Sequence, residues 1–343
     1  MGGRRVSIRD VAREAGVSVT TVSHALNDKG RLNPETRERV REVAQQLGYR
    51  PNPAARSLVS GRTGLIAVLA SLPSGVHAEL GDFGYFADLI GGATGVAVSH
   101  DVALVVAPSA TPVTGDEPFV WDRVPLDGVV VAGPMADDAA LPGLREGGIP
   151  FVTIGRDPGG GESDAVVAAD DLAGTRAVLD HLVEAGSTRP GLIVLPPLFA
   201  VTKDAADGYQ AWCEDHDVEP VAEQVGIEDL LRDRAETVAG AVDRLLAAGT
   251  DAIYCPVEQL GMAALARLDA RRVAVPGDVL LATTNDAGRA QVASVPVTTL
   301  DTDHRELGRR AVDLLLALIA GDREPPLLEL VPTQVVVRAS TAP

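Results

Sequence analysis

The chain has 343 residues and a formal net charge of −18, with 30 basic against 48 acidic side chains. This length predicts about two domains with ample chain to bury a core. Two cysteines, Cys213 and Cys255, are too few for a disulfide framework, which argues against a secreted disulfide-rich protein. No signal peptide or membrane-spanning apolar run is visible, which argues against an integral membrane protein. Together these features predict a cytoplasmic location.

The charge is distributed unevenly along the chain. Residues 1–62 carry 12 basic and 6 acidic side chains, a net charge of +6, whereas the remainder carries 18 basic and 42 acidic side chains, a net charge of −24. Attraction to phosphate acts within about 10 Å, so the acidic total does not exclude a nucleic-acid partner for the basic segment.

The first predicted helix begins at Ser7, a typical N-cap, with Asp10 as its capping-box partner. It ends at Gly16, which permits the left-handed conformation of a tight turn, and Ser18 can cap the next helix. Helical spacing predicts the buried positions Ile8, Val11, Ala12 and Ala15. Two helices separated by so short a turn predict a helix-turn-helix.

The second helix should turn Val22, Ala25 and Leu26 inward. Its outward face is then small and hydrogen-bonding: Val19, Thr20, Ser23, His24 and Asn27. Such a face fits a major groove roughly 12 Å wide, with Thr and His reaching base edges and Val meeting a thymine methyl group. An ordinary solvated helix is the alternative interpretation of this face.

A third helix is predicted from the N-cap Asn33 and Pro34 to Gly48. It closes a three-helix core with Thr36, Val40, Val43 and Leu47.

A short linker helix is predicted within residues 50–64, where two prolines break the preceding helix and Gly61 ends the new one. So short a helix needs a partner to be ordered in water. Arg56 and an exposed Leu58 suit the minor groove, where an apolar wedge unstacks a base step. The alternative is a flexible tether whose Leu58 packs on the body.

From Gly64 onward apolar runs alternate with helical stretches. The predicted strands are 65–70, 103–107, 128–132, 151–154, 192–195, 252–255, 279–282 and 333–337. The predicted helices are 85–99, 139–146, 173–185, 205–215, 237–248, 260–268 and 305–319. This α/β alternation, with nearly continuous apolar strands, predicts parallel sheets covered on both faces, and so many strands suit two doubly wound lobes better than one.

In such sheets ligands bind at the carboxyl ends of the strands. The candidate lining of a cleft between two lobes is Ser71, Phe83, Arg156, Asp157, Lys203, Glu258, Asn285 and Asp286. Loops and helix caps also prefer polar residues, so each of these has an alternative interpretation as a cap or loop residue.

The motifs of catalysis are missing from the sequence. It has no GxxxxGK[ST] phosphate loop, GxSxG elbow or HExxH zinc helix, and Gly159-Gly160-Gly161 predicts a flexible turn. Only Asp215-His216-Asp217 clusters ionisable ligands, at the end of a helical run that predicts a solvated surface. We therefore expect no enzyme, no metal and no cofactor.

Several runs carry a family resemblance. Residues 8–27 read Ile-Arg-Asp-Val-Ala-Arg-Glu-Ala-Gly-Val-Ser-Val-Thr-Thr-Val-Ser-His-Ala-Leu-Asn, and runs at 34–40, 47–52 and 55–58 follow them. They resemble the lactose-repressor (LacI/GalR) family of bacterial transcription regulators, densely over the first sixty-odd residues. Weaker similarity continues at 170–176, 275–279, 298–300 and 306–311.

The resemblance implies a homodimer, or a tetramer, that binds a pseudo-palindromic DNA operator and most often represses. It implies a helix-turn-helix domain (1–50), a hinge helix (51–62) and a two-lobed, periplasmic-binding-protein-like sensor (63–343) for a small-molecule effector. Lobe 1 would comprise about 63–169 and 302–329, and lobe 2 about 170–301 and 330–343. The implied base-reading residues are Val19, Thr20 and His24, with Leu58 intercalating. The implied backbone-contacting residues are Ile8, Ser18, Thr21, Ser23, Asn27, Asn33 and Thr36.

The chain also departs from the family pattern. Many members carry Arg at the position of His24, so the operator should differ at the base read there. The sugar-clamping positions are also changed. Ala205 occupies the position of an Arg, and Lys203 is the nearest cation. Val257-Glu258 replaces an Asn-Asp pair, and Asn285-Asp286 replaces paired aspartates. A sugar effector is therefore not predicted.

Two other classes of function remain as alternatives. A solute-binding protein would share the two lobes but needs an export signal where a basic three-helix unit stands. An enzyme on a doubly wound sheet would need the missing catalytic motifs. The leading prediction is an effector-controlled transcription factor, and whether the effector releases or recruits the operator is open.

Overall fold

The computed structural model describes residues 6–26, 30–49, 61–71, 83–107, 119–136, 138, 140–160, 164–285 and 288–342. The chain divides into two compact units, Met1–Thr63 and Gly64–Pro343.

In its described residues the first unit has the helices α1 (Ile8–Ala15), α2 (Val19–Leu26) and α3 (Pro34–Gln46). Their shared core consists of Val11, Ala12, Ala15, Val22, Ala25, Val40 and Ala44. The predicted inward face of α3 is partly wrong: Ala44 takes the core position one turn after Val40, while Thr36 and the flanking Val43 and Leu47 are only half-buried.

The predicted caps are present in this unit. The backbone N–H and hydroxyl of Ser7 both donate to Asp10 Oδ2, at 3.0 and 2.6 Å. Gly16 has φ +66°, and Ser18 Oγ accepts from the Thr21 N–H at 3.1 Å. Asn33 Oδ1 accepts from the Glu35 N–H at 3.0 Å. Local side-chain chemistry thus sets where each helix begins.

The second unit contains two six-stranded sheets. The strands are β1 (Leu65–Ala70), β2 (Ala103–Ala107), β3 (Gly128–Ala132), β4 (Phe151–Ile154), β5 (Ala165–Ala169), β6 (Pro190–Val194), β7 (Ala222–Gln224), β8 (Ala252–Cys255), β9 (Leu280–Thr284), β10 (Thr298–Asp301), β11 (Leu327–Val331) and β12 (Gln334–Val336). The helices are α4 (Phe83–Ser99), α5 (Val120–Arg123), α6 (Ala140–Glu146), α7 (Asp171–Glu184), α8 (Ala200–Asp215), α9 (Ile227–Ala247), α10 (Glu258–Ala270), α11 (Arg289–Val292) and α12 (His304–Ala320).

Both sheets are parallel apart from one edge. The first has the order β11-β5-β4-β3-β1-β2, and the second has the order β12-β10-β9-β8-β6-β7 with only β12 antiparallel to its neighbour. Helices cover both faces of each sheet: α4 and α12 lie opposite α6 on the first, and α9 and α10 lie opposite α7 and α8 on the second. Each sheet with its helices is a lobe, and the doubly wound α/β prediction is confirmed.

Helices α4 and α12 touch backbone to backbone. A Cβ on Gly92 would lie 1.9 Å from the Arg305 carbonyl oxygen, and a Cβ on Gly308 would lie 2.1 Å from that of Leu89. Only glycine allows this approach. It brings the first turns of both helices together, where the rings of Tyr85 and His304 meet edge to face at 4.5 Å.

The chain passes between the two lobes three times: from β5 to α7, from β10 to α12 and from β11 to β12. Two of the crossings are tied together, because the Asp170 N–H donates to the Val331 carbonyl oxygen at 3.1 Å.

Each of the eight predicted strands overlaps an observed one, but β5, β7, β10 and β11 were not predicted. Helix α9 also begins earlier than the predicted 237–248. Asp233 breaks it with extended φ and ψ of −158° and 93°, and its carboxylate caps the second half by accepting from the Glu236 N–H at 3.0 Å. Among the described residues no helix is long and apolar enough to cross a membrane.

Candidate functional site

The outward surface of α2 is small and accessible. Ser18, Val19 and Thr20 are exposed, whereas Thr21, Ser23 and His24 are half-buried. The Ser18 and Thr21 hydroxyls hydrogen-bond to each other at 2.8 Å. These two hydroxyls therefore fix the start of the helix, and Val19 and Thr20 extend from it without bulk.

His24 packs against a glycine that the sequence reasoning did not single out. A Cβ placed on Gly30 would lie 2.9 Å from His24 Nδ1, and Gly30 adopts a left-handed φ of +72°. No side chain fits there without moving the imidazole. The conformation and the close approach together make Gly30 a positioning residue for the ring.

The remaining predicted DNA-contacting residues are distributed as follows. Asn33 is exposed and also caps α3, and Ile8 and Thr36 are half-buried. Asn27, Arg56 and Leu58 lie outside the described residues. Exposed guanidinium groups surround the three helices: Arg9, Arg13, Arg31, Arg39 and Arg41.

A cavity of about 210 Å³ lies where the carboxyl ends of the strands of both lobes face each other. Its lining includes Ile154 and Pro134 from the first lobe and Leu195 and Phe199 from the second. Aromatic rings form much of the wall: Tyr85, Phe86, Phe199 and His304. This volume is below the 300–1,000 Å³ or so of drug-sized pockets, so it suits a small ligand.

One ion pair joins the lobes at this cavity. Arg156, just after β4, donates to the Asp204 carboxylate on α8. The arginine side chain is half exposed and the aspartate side chain is 11 % exposed. Backbone contact adds to the junction, because the Ala136 N–H donates to the Leu198 carbonyl oxygen at 2.9 Å.

Asp171, the first residue of α7, also lines the cavity. The pKa of its carboxyl group is raised to about 7, chiefly by burial and also by the charges of Asp204 and Asp170, while the charge of Arg156 opposes the rise. No residue that the structure describes donates a hydrogen bond to this carboxylate. A helix N-terminus favours a charged carboxylate, but here burial outweighs that effect.

Of the predicted cleft residues, Arg156 and Asn285 line the cavity. Lys203 and Asp157 turn away from it. Lys203 pairs with Asp207 on the exposed side of α8, and Asp157 lies 3.8 Å from Arg145 Nη2, which chiefly binds Asp164. A nearer carboxylate or guanidinium partner explains both orientations.

The other four predicted residues do not appear in the described lining. Ser71 is fully buried, and its backbone N–H donates to the Ala132 carbonyl oxygen at 3.1 Å. Glu258 is fully buried and accepts from the Ala290 N–H at 3.0 Å, which holds α11 against α10. The Phe83 side chain and Asp286 lie outside the described residues.

Sequence reasoning missed Asp171 and the aromatic wall. Asp171 follows β5, a strand that was not predicted, so the rule of looking just after strands did not reach it. Tyr85 and His304 belong to the first turns of helices that were predicted to begin later.

No group of three or more His, Cys, Asp and Glu side chains with metal-ligating geometry occurs in the described part of the chain. In the Asp215-His216-Asp217 run, His216 stacks on Trp212 at 4.2 Å and Asp215 pairs with Arg176 at 2.6 Å. Both contacts are structural.

Two family models match the chain. Residues 7–52 match "Bacterial regulatory proteins, lacI family", and residues 179–341 match "Periplasmic binding protein-like domain".

Characterised relatives match over nearly the whole chain. The transcriptional regulator CelR of Thermobifida fusca is 30% identical over 348 residues, covering 98% of both chains. The transcriptional regulator AglR of Rhizobium meliloti is 29% identical, covering 98% of this chain and 95% of its own.

Solved structures agree with this match. A CelR–cellobiose complex superposes with a TM-score of 0.70 at 26% identity, covering 98% of this chain and all of the other. The lac repressor dimer bound to operator and the anti-inducer ONPF has a TM-score of 0.78 at 22% identity, covering 99% and 100%, which compares the fold alone.

Proposed function

The chain belongs to the lacI family of bacterial regulatory proteins and is a DNA-binding transcriptional regulator, and we propose that it is a repressor whose operator affinity is set by a small ligand in the cavity between its lobes. The observation that carries the DNA-binding half is the outward face of α2. Val19 and Thr20 are exposed on a capped helix after a one-glycine turn. Such a helix can enter the major groove without steric conflict.

In this proposal Val19, Thr20 and His24 contact base edges. The phosphate backbone is contacted by Ile8, Ser18, Thr21, Ser23, Asn27, Asn33 and Thr36. Arg56 and Leu58 act in the minor groove. A homodimer presents two such helices to the two halves of a pseudo-palindromic operator, and the exposed guanidinium groups supply attraction to phosphate.

The cavity supports the ligand-controlled half of the proposal. It is lined by residues of both lobes, among them Arg156, which forms an ion pair with Asp204 of the other lobe. A ligand that binds the joined lobes more tightly than the separated ones shifts the balance between the two. If operator binding also selects one arrangement, the two affinities are reciprocally coupled. A cellobiose complex of a similar protein supports the cleft as a ligand site.

The proposal assigns no catalytic residue and no cofactor to the chain, in line with its relatives, which are regulators. It places the protein in the bacterial cytoplasm, where operators are accessible. A solute-binding protein would use the same lobes but has no use for a DNA-reading helix.

The test is binding of the full chain to a palindromic operator-like duplex while salt is varied. We expect a steep loss of affinity with salt and a preference over scrambled DNA of at least about 10³-fold. Thr20→Ala should weaken specific binding, whereas Gln45→Ala, on the exposed surface of α3, should not. Equal affinity for operator-like and scrambled duplexes would contradict the proposal.

A further inference from the structure

The cavity between the lobes has a carboxyl group, Asp171, that forms no ion pair with a described residue. In the described lining the acidic group is the Asp171 carboxyl and the guanidinium is that of Arg156, whose partner Asp204 is not itself part of that lining. Arg156 is already engaged by Asp204. Asp171 faces the same space without a hydrogen-bond donor from the described residues.

The groups around Asp171 do not supply the missing positive charge. Asp204 and Asp170 are acidic, and the phenols of the half-buried Tyr85 and the buried Tyr254 are neutral. His304 shares a hydrogen bond between its Nε2 and Thr302 Oγ1 at 2.7 Å. Lys203 is directed to Asp207 outside the cavity. Among the described residues Arg156, already paired with Asp204, is the cation that acts on Asp171, which leaves a compensating cation to be supplied by the ligand.

The walls around Asp171 are suited to a cation. Tyr85 stands edge-on to Phe86 with ring centroids 5.5 Å apart, and it meets His304 at 4.5 Å. Phe199 lines the second lobe's side. Aromatic rings attract an ammonium group through their quadrupole, and the attraction grows when water is excluded.

We propose that the ligand of this cavity is a small organic cation, a protonated amine on a compact apolar body, whose ammonium group pairs with Asp171 against the aromatic wall. This inference rests on the proposed function in one respect: it takes the cavity as the effector site.

A neutral sugar is a less suitable ligand for this cavity than a cation. It would leave the ionised form of Asp171 without a counter-charge, because Arg156 is paired with Asp204, and burial of an uncompensated charge is costly. Ala205 and Glu258 are buried and absent from the described lining, so they do not hold hydroxyl groups there. An anionic ligand would add to the repulsion. The raised pKa of Asp171 agrees with an empty site that lacks its counter-charge.

The test measures binding of matched probe pairs to the full chain by calorimetry at pH 8, where Asp171 is ionised. The pairs are 2-phenylethylammonium with 2-phenylethanol, and cyclohexylmethylammonium with cyclohexylmethanol. Glucose and cellobiose are the sugar arm. We expect at least one ammonium ion to bind tenfold or more tightly than its paired alcohol and than either sugar.

Asp171→Asn should abolish the preference for that ammonium ion and leave the alcohol unchanged. Asp269→Asn is the matched control, because it removes the same charge from an exposed position near the end of α10. A thermal unfolding curve for each variant shows that it is folded.

The inference is overturned if no ammonium ion exceeds its paired alcohol, or if a sugar binds more tightly than every cation and does so equally in Asp171→Asn. The proposed function is tested by different outcomes from those that test the cation inference. If a cation binds through Asp171 but changes operator affinity in neither direction, the ligand class stands and effector control is lost. If a sugar binds and changes operator affinity, effector control stands and the cation inference is lost.

Discussion

Replacing Asp171 by asparagine should change the pH dependence of stability in a defined direction. The pKa of this carboxyl group is raised to about 7, first by burial and then by the charge of Asp204. A group with a higher pKa in the folded state binds its proton more tightly there. Its contribution to stability is therefore complete below about pH 4 and is lost as the pH rises through about 7.

The size of the effect follows from the same pKa. A rise from 3.8 to about 7, at about 1.4 kcal/mol per pH unit, sets an upper limit of ~4 kcal/mol. Asp171 is half-buried, and solvent screening reduces this to about 1–2 kcal/mol. With an unfolding entropy of about 2.1 cal/mol/K per residue, a chain of 343 residues shifts by ~1.4 °C per kcal/mol, so the expected change in Tm is roughly 1.5–3 °C.

Circular dichroism melts of the full chain at pH 4 and pH 8 provide the assay. Asp171→Asn should melt close to the unmodified protein at pH 4 and above it at pH 8. Asp269→Asn should show no such pH-dependent difference. If the asparagine variant is equally displaced at both pH values, or melts lower at pH 8, then Asp171 is not an uncompensated buried carboxylate.

Three further predictions concern the DNA-reading helix, the linker and the lobe junction. Gly30→Ala should relax base discrimination at the same operator position as His24→Ala, as measured by binding to single-base operator variants, because the new Cβ displaces the imidazole; discrimination that changes in only one of the two variants would separate these residues. Leu58→Ala should weaken operator binding much more than binding to scrambled DNA, and equal losses on both duplexes would refute the wedge assignment. Arg156→Gln should lower the Tm of the ligand-free protein at pH 8 by the equivalent of about 1 kcal/mol. Adding Asp204→Asn should restore part of this loss, because an unpaired carboxylate costs more than a missing pair. Strictly additive effects of the two substitutions would show that the ion pair contributes nothing.

Strands that are continuous apolar runs could be predicted from the sequence, and β1 to β4 and β8 have the predicted bounds. Three of the four missed strands have a weaker signal, whereas β5 (Ala165–Ala169) is a continuous apolar run that the prediction overlooked. β7 has three residues and two of its side chains are polar, β10 is half threonine, and the edge strand β11 alternates exposed and half-buried positions. Their strand character depends on neighbours far away in sequence, which composition does not report.

Helix caps were predictable because a cap is a contact between residues two or three apart, as for Ser7 with Asp10 and Asn33 with Glu35. The cavity was less accessible to such reasoning. The rule that ligands bind after strands leads to Arg156 and Asn285, but it says nothing about which way a side chain turns. Lys203, for example, forms an ion pair with Asp207, which lies one helical turn further along the same helix.

Under the proposed function, the path of the chain allows a small ligand in the cavity to affect how the two lobes are joined. Asp171 stands at the end of one crossing between the lobes, Thr302 lies within another, and both line the cavity. A cation that neutralises Asp171 removes the repulsion between this carboxylate and Asp204, and Asp204 holds Arg156 of the other lobe. The charge of the ligand therefore acts on the ion pair that joins the lobes without displacing it. An operator that selects one lobe arrangement must then change the affinity for the cation by the factor with which the cation changes operator affinity.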